Sequence, residues 1–306
     1  MPRPAHSPTH TSYLIPHTFM PSNLKVQATL LTVAILFTSN YLISKLGMKE
    51  FAPLSFAWLR VAGSALLLWG IARGERLPEG SGRRVVLFSV LAVVINQTMF
   101  LSGLAFTTVQ VAAILITSIP VFALGAAIAM GHEKATATRV GGIALACAGA
   151  LLVVGGEGWH GTAQSVIGAV LILINCLSYA LYLVVSKPDM AHLSPRALVA
   201  RMFAVGTLLM LPISAIPLWR EDWAAISPRA WMALLLVILG PTVAAYLLQA
   251  WALQYADSSI VASYVYVQPV LATILGALLF DEAIRPIVLV AGVMICAGVW
   301  TAGRKM

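Results

Sequence analysis

Residues 105–155 read AFTTVQVAAILITSIPVFALGAAIAMGHEKATATRVGGIALACAGALLVVG, and residues 254–303 read QYADSSIVASYVYVQPVLATILGALLFDEAIRPIVLVAGVMICAGVWTAG. The two stretches align without a gap at an offset of 149 residues, which places Pro120 on Pro269 and Glu133 on Glu282. Each copy consists of two apolar runs joined by a short acidic turn. Self-similarity over this length indicates a repeat architecture, and the rest of the chain is interpreted from it.

The composition is that of a chain that lies in a membrane. Of the 306 residues 60% are hydrophobic and only 10% are charged, with a mean hydropathy of +0.90. A soluble domain carries about 25% charged residues. A chain this apolar cannot cover itself with a polar surface in water, whereas apolar runs of this length are typical of membrane-spanning helices.

Ten apolar runs follow one another between short polar connections. Because backbone polar groups must be paired inside lipid, each run forms a helix or belongs to a closed barrel, and the runs are too long for barrel strands. The sequence therefore predicts an all-α polytopic membrane protein with ten transmembrane helices. The runs cover residues 26–46, 53–72, 85–105, 109–131, 138–156, 165–186, 198–218, 231–251, 257–280 and 284–303.

The distribution of Lys and Arg predicts the orientation. With the N-terminus inside, twelve of these residues fall in inner segments and four in outer loops, so both termini are expected in the cytoplasm. Five helices per half is an odd number, which predicts two inverted repeats with a substrate site between them. The first parts of the halves align more weakly, at an offset near 142 that places Lys45 on Lys187.

The predicted domains are residues 1–25, a disordered N-terminal tail, and two five-helix repeats at 26–157 and 164–303. The net charge of +8 is explained by helix orientation, so no nucleic-acid partner is expected. The expected partners are a small-molecule substrate and the lipid bilayer, with the chain as a monomer or homodimer. No cofactor and no metal site are predicted.

An ordered set of motifs resembles the drug/metabolite transporter superfamily, in its ten-helix EamA-type branch. The resemblance covers residues 26–303 and rests on Asn40 and Lys45 in helix 1, Pro53 and Arg60 in helix 2, Gly103 and Leu104 in helix 3, Pro120, Glu133, Gly142 and Gly149 in helices 4 and 5, and Pro269, Glu282 and Gly298 in the second half. It implies that helices 1, 3, 4, 6, 8 and 9 line a central cavity. It also implies small organic substrates, often amino acids, and often export from the bacterial inner membrane.

Polar side chains inside the spans are the candidate substrate-binding residues, because they are costly in lipid unless paired or wetted. The alternative is that such residues only hydrogen-bond between helices and hold the bundle together. Tyr41 and Tyr255 are interpreted instead as possible anchors at the membrane interface. The predicted substrate-binding set is Asn40, Asn96, Gln97, Asn175, Tyr179, Tyr182, Tyr246, Tyr264 and Gln268.

A second set is predicted to have gating or structural roles. Pro120 and Pro269 each free a backbone carbonyl one turn upstream, which predicts a kink that flexes during transport or stays static. Lys45 is an interfacial anchor or, alternatively, a ligand for a carboxylate or phosphate. Two ion pairs are predicted at equivalent positions of the two repeats: Arg60 with Glu282, and Arg201 with Glu133. Asp257 and Glu50 are competing partners.

The residue types inside the spans favour transport over catalysis. No His, Asp or Glu falls in mid-span, and no Cys has a candidate base nearby, so no catalytic residue is predicted. Proton-driven transporters usually place a titratable group in the membrane. The sequence therefore predicts a facilitator that exports amino acids or related metabolites by alternating access. A proton-coupled exporter of other compounds and a non-transporting scaffold are the alternatives.

Overall fold

The fold is all-helical over the residues that the computed structural model describes, which are 23–131, 134–160, 162–190, 193–256, 261, 264–280 and 286–303. The first helix begins at Asn23, so the last three residues of the predicted tail are helical. The helices are α1 Asn23–Gly47, α2 Pro53–Ile71, α3 Gly82–Phe106, α4 Val109–Ala129, α5 Ala137–His160, α6 Ala163–Met190, α7 Pro195–Arg220, α8 Pro228–Tyr255, α9 Val267–Phe280 and α10 Pro286–Gly303.

Seven helices of the described residues are long and apolar enough to cross a membrane: α1, α2, α3, α4, α6, α7 and α8. Shorter apolar stretches lie in α5, at Ala137–Leu152, and in α10, at Leu289–Gly298, and α9 is 14 residues long. Large apolar side chains cover the outside of the bundle, with Leu66 78% and Leu208 71% exposed. Such a surface fits contact with lipid. The count of ten spans remains a prediction.

Helix starts are fixed by residues that suit an N-terminus. Pro53, Pro195 and Pro228 occupy the first position of α2, α7 and α8, where a missing amide hydrogen costs nothing. The hydroxyl of Thr108 accepts from the amide of Val111 at 3.2 Å and caps α4. This cap, directly after the end of α3 at Phe106, is the break that the sequence predicts at Thr107 and Thr108.

Two lysines cap the C-terminal turns of α3 and α8 through equivalent contacts. Lys45 Nζ donates to the carbonyl oxygen of Thr107 at 3.3 Å, and Lys187 Nζ donates to those of Leu253 and Ala256 at 2.9 Å each. Thr107 and Ala256 are 149 residues apart, and the weaker offset pairs the two lysines. A cation beside the carbonyls at a helix C-terminus is favourable. Both lysines therefore tie neighbouring helices together.

α3 and α8 each contain a π-helical segment, at Val90–Ile95 and Ile238–Ala244. The two segments end at positions that differ by 149 residues. In α8 the cause is visible, because Pro241 has no amide hydrogen to offer the carbonyl of Val237. The hydroxyl of Thr242 donates to that carbonyl at 2.8 Å instead. Single π segments inside α-helices are often found at functional sites.

The backbone also leaves α-helical geometry three residues before each repeated proline. α4 is interrupted at Thr117 and Ser118, whose amides donate to carbonyls three residues earlier at 3.1 and 2.9 Å. Pro120 follows this turn. In the second copy a 3₁₀ turn at Tyr264–Tyr266 precedes α9, and Pro269 is the third residue of α9. A local break in α-helical geometry therefore precedes each repeated proline, and the gating or structural role of the two prolines stays a prediction.

α5 and α10 pack closely through small residues. A Cβ atom added at Gly149 would lie 2.9 Å from the carbonyl oxygen of Ala291, and one added at Gly298 would lie 2.6 Å from that of Gly142. Gly149 and Gly298 are 149 residues apart, and so are Gly142 and Ala291. The two contacts are therefore reciprocal, as contacts between residues related by a two-fold rotation are. Glycine allows this close approach of two helix backbones.

The remaining pairings place α1, α3, α4, α6, α8 and α9 around a common centre. α1 packs against α8 and α9, α3 packs against α6, and α4 packs against both α6 and α9. α2 and α7 pack against each other and against α3. This arrangement brings residues of these six helices toward one space.

Candidate functional site

A central cavity with a volume of about 80 Å³ lies between the helices. Its walls come from α1, α3, α4, α6 and α8, together with Val261, Tyr264, Val265 and Gln268, as the family resemblance implies. α2 contributes one further residue, Arg60. One wall is apolar and includes Val33, Phe37 and Ile116. Cavities that combine apolar walls with a few polar groups are typical of small-molecule sites.

Eight of the nine predicted substrate-binding residues line this cavity: Asn40, Asn96, Gln97, Asn175, Tyr179, Tyr246, Tyr264 and Gln268. The ninth, Tyr182, lies behind the wall. Its ring contacts those of Tyr179 and Phe88, with centroid distances of 5.7 and 5.9 Å. Tyr179 and Tyr182 lie on one face of α6, but only Tyr179 lines the cavity. Tyr182 therefore supports the position of Tyr179.

A hydrogen-bond network joins α3, α6 and α8 at one side of the cavity. Gln97 Nε2 donates to the Tyr246 hydroxyl at 2.9 Å, and that hydroxyl donates to the carbonyl of Ala92 at 3.2 Å. Asn175 Nδ2 donates to the backbone carbonyl of Asn96 at 2.9 Å. Ala92 lies in the π segment of α3. The widened turn of that segment thus presents a carbonyl to a side chain of another helix.

Two further lining residues, Tyr41 and Gln249, are absent from the predicted set. Tyr41 is 2% exposed and donates to Oε1 of Gln268 at 2.6 Å, so its interpretation as an interfacial anchor is wrong. Gln249 Oε1 accepts from the Tyr179 hydroxyl at 2.8 Å. The signal for Gln249 was its position three residues after Tyr246, which places both side chains on one helix face.

Aromatic rings surround Tyr246 on several sides. The ring centroids of Phe203 and Phe37 lie 5.0 and 6.1 Å from that of Tyr246, both in edge-to-face geometry, and the centroid of Tyr179 lies at 6.5 Å. Edge-to-face pairs at these distances are favourable and hold a ring in one orientation. The hydroxyl of Tyr246 is therefore fixed both by packing and by hydrogen bonds.

Arg60 is the one ionised side chain among the described residues that line the cavity. It is 1% exposed, and its Nε donates to Thr242 Oγ1 at 2.7 Å. Its predicted partner Glu282 and the competing Asp257 lie outside the described residues. The other competing partner, Glu50, accepts instead from the amide and hydroxyl of Ser227, at 2.6 and 2.8 Å.

The other basic residues of the predicted set lie away from the cavity. Arg201 is half-buried and borders a second pocket with Arg73, Glu75 and Arg76. Its predicted partner Glu133 lies outside the described residues. At the offset of 142 residues Arg60 corresponds to Met202, which is fully buried, so the surroundings of Arg60 and Arg201 differ. Lys45 caps α3 and does not line the cavity.

The described residues contain no group of three or more His, Cys, Asp and Glu side chains close enough to hold a metal ion. The cavity walls in that part of the chain supply amides, phenols, one guanidinium and apolar surface. These groups bind and orient a polar molecule of moderate size. These groups lie on helices whose regular α-helical hydrogen bonding is interrupted near Pro120, Pro241 and Pro269. The site therefore lies where the backbone is least regular.

The sequence matches the EamA-like transporter family twice, over residues 24–155 and 166–304. The chain belongs to the EamA-like transporter family. It is an integral membrane protein with several apolar helices. Each of the two matched ranges contains one of the repeated stretches, residues 105–155 or residues 254–303.

Curated relatives extend over most of the chain. An uncharacterized transporter of Archaeoglobus fulgidus is 27% identical over 288 residues, which cover 92% of this chain and 99% of the relative. The uncharacterized inner membrane transporter YedA of Escherichia coli is 27% identical over 84% of each chain. A probable terminal-alkyne amino-acid exporter of Streptantibioticus cattleyicolor is 25% identical over 92% of this chain and 93% of its own length.

A solved crystal structure of a protein also has the same fold. It superimposes with a TM-score of 0.62 and covers 92% of this chain and 98% of its own. The sequence identity is 17%, so this likeness concerns the fold alone.

Proposed function

We propose that this EamA-family transporter exports amino acids or closely related small metabolites. The observation that carries the proposal is the cavity in which polar side chains of six helices converge, within a chain whose family is one of transporters. A scaffold would need polar residues only where two helices meet. The choice of amino acids is supported by the relative of Streptantibioticus cattleyicolor, whose name describes an amino-acid exporter.

The proposed mechanism is alternating access between two inverted five-helix repeats, at residues 26–157 and 164–303. The reciprocal contacts of Gly149 and Gly298 and the matched lysine caps support this symmetry, since equivalent residues of the two copies make equivalent contacts. The proposed location is a bacterial inner membrane with both termini in the cytoplasm. The name of the Escherichia coli relative supports the inner membrane.

The experiment is flux of labelled amino acids into liposomes that contain the purified protein. Uptake that exceeds that of empty liposomes and saturates with concentration is the expected result. Absence of flux for every amino acid tested, with protein that is folded and inserted, would contradict the proposal and favour the scaffold.

The same liposomes test the proposal that the protein is a facilitator. Uptake should proceed without a proton gradient and should change little when one is imposed. Accumulation above equilibrium that collapses with a protonophore, and that is lost when Glu133, Asp257 or Glu282 is neutralised, would instead identify a proton-coupled exporter.

A further inference from the structure

Arg60 is a buried cation with free hydrogen-bonding capacity. Its side chain is 1% exposed, and Nη1 has no hydrogen-bond partner among the described residues. A charged group inside a membrane protein is costly unless it is paired or faces a wetted space. Arg60 is one of the residues that line the cavity, so its guanidinium lies beside whatever occupies that space.

Among the described residues, the surroundings of Arg60 hold the guanidinium but supply no negative charge to it. Nε is bound by Thr242 Oγ1 at 2.7 Å, and the Thr242 hydrogen is given to the Val237 carbonyl that Pro241 leaves free. The described cavity walls contain no carboxylate. With Nε fixed, the two terminal nitrogens form the planar edge that binds a carboxylate through two parallel hydrogen bonds.

A second unsatisfied group lies in the same cavity. Oε1 of Gln97 is buried and has no partner among the described residues, while Nε2 of the same amide is bound to Tyr246. The α8 residues that hold Arg60 and Gln97 are Thr242 and Tyr246, which are four positions apart, or about 6 Å of helix rise. A neutral acceptor close to tyrosine rings suits an ammonium group.

We propose that Arg60 binds the carboxylate of the transported molecule and that Oε1 of Gln97 accepts from its ammonium group. The apolar wall of Val33, Phe37 and Ile116 then receives an apolar side chain. This assignment rests on the proposed transport of amino acids and adds which protein atoms recognise which part of the substrate. It makes the carboxylate the dominant determinant of binding.

Binding to the purified wild-type protein tests the assignment without any variant. The probes are leucine, isovalerate, leucinamide and isoamylamine, of which the first two carry a carboxylate and the last two do not. Thermal stabilisation should appear with leucine and isovalerate at concentrations about 10- to 100-fold lower than with the other two, the range expected for a hydrogen-bonded charge. Equal effects of all four, or no effect of any, would overturn the proposal.

Variants then identify the two residues. Arg60→Gln should abolish the preference for carboxylates, and Arg60→Lys, which keeps the charge but loses the fork, should weaken it. Gln97→Leu should weaken binding of leucine about tenfold and leave isovalerate unchanged, because isovalerate has no ammonium group. Arg220→Gln, at the exposed end of α7, serves as the charge control. An unchanged carboxylate preference in folded Arg60→Gln or Arg60→Lys protein would refute the role of Arg60.

Flux in liposomes separates this proposal from the proposed function. A carboxylate preference in binding without any flux would uphold the role of Arg60 and contradict transport. Flux of leucine that leucinamide and isovalerate inhibit equally would uphold transport and contradict the role of Arg60.

Discussion

Gln97 and Tyr246 are 149 residues apart in sequence and hydrogen-bond to each other at 2.9 Å at one side of the central cavity. The distance in sequence equals the offset between the two repeated stretches. Equivalent positions of two copies meet directly only near an axis that relates the copies. The pair therefore lies where the proposed two-fold axis would pass, in the wall of the proposed substrate site.

Removal of the Tyr246 hydroxyl should destabilise the protein. Tyr246→Phe leaves the buried amide of Gln97 without its acceptor, and an unsatisfied buried donor costs about 1–3 kcal/mol. We expect a lower melting temperature in detergent and reduced transport. Tyr255→Phe, near the end of the same helix and 39% exposed, is the matched control and should melt like the wild type. Equal melting of both variants would show that the Gln97–Tyr246 bond contributes nothing.

Two alanine substitutions in α5 should have different effects on the stability of the protein. Gly149→Ala places a methyl group 2.9 Å from the Ala291 carbonyl and forces α5 and α10 apart, at a cost of about 1–3 kcal/mol. Gly141→Ala meets nothing within 4 Å and should be neutral or stabilising, because alanine favours helix. Thermal unfolding of both variants is the measurement. If Gly149→Ala unfolds no earlier than Gly141→Ala, the close packing of these helices is not a source of stability.

The link between Glu50 and Ser227 should depend on pH. The amide and hydroxyl of Ser227 donate to the Glu50 carboxylate, and with the charge of Arg229 they lower its pKa below the usual 4.5. A depressed pKa means that the contribution to stability is present above the unfolded pKa and is lost as pH falls through the folded pKa. Glu50→Gln should therefore lower the melting temperature at neutral pH and have no effect well below pH 4.5.

The control for this experiment is Glu79→Gln, at an exposed carboxylate between α2 and α3. It should leave the melting temperature unchanged at every pH. A difference between Glu50→Gln and the wild type that persists at low pH would mean that the link does not depend on ionisation of Glu50.

Labelling of introduced cysteines should establish the topology. Thr162 is exposed between the end of α5 at His160 and the start of α6 at Ala163, a connection predicted outside the cell. In a variant without the native cysteines, Thr162→Cys should react with a membrane-impermeant maleimide in intact cells. Glu79→Cys, in a predicted cytoplasmic connection, should react only after lysis. The reverse pattern would refute the predicted orientation.

The sequence predicted the helical class and most of the cavity, because both depend on patterns that are local in the chain. Asn96, Gln97 and Tyr246 could be recognised as polar positions in apolar runs. The hydrogen bond between Arg60 and Thr242 could not be recognised, since Thr242 looks like an ordinary helical threonine. Its role depends on the π-helical segment around Pro241. In such a segment the backbone hydrogen bonds span five residues instead of four, and this change does not alter the hydropathy of the sequence.

Depth in the membrane was the other source of error. Tyr41 was interpreted as a possible interfacial anchor because it lies in the second half of α1, where an aromatic residue often meets the headgroups. The packing of α1 against α9 instead brings its hydroxyl to Gln268. Tyr182 shows the converse error, since a shared helix face does not say how far from the cavity each residue lies. Both questions are decided by contacts between helices that are distant in sequence.

The burial of Arg60 also affects how the chain is made. A membrane helix with a central arginine is inserted at a cost of about 2.5–3.5 kcal/mol, and the hydroxyl that binds the guanidinium belongs to a helix synthesised later. Thr242 follows Arg60 by 182 residues, so at about 5–20 residues per second the arginine lacks this partner for about 10–35 seconds. During that interval α2 depends on the translocation machinery, or on its neighbours α1 and α3, to remain in the membrane. A side chain proposed to bind the substrate thus makes the insertion of α2 sensitive to the rate of synthesis.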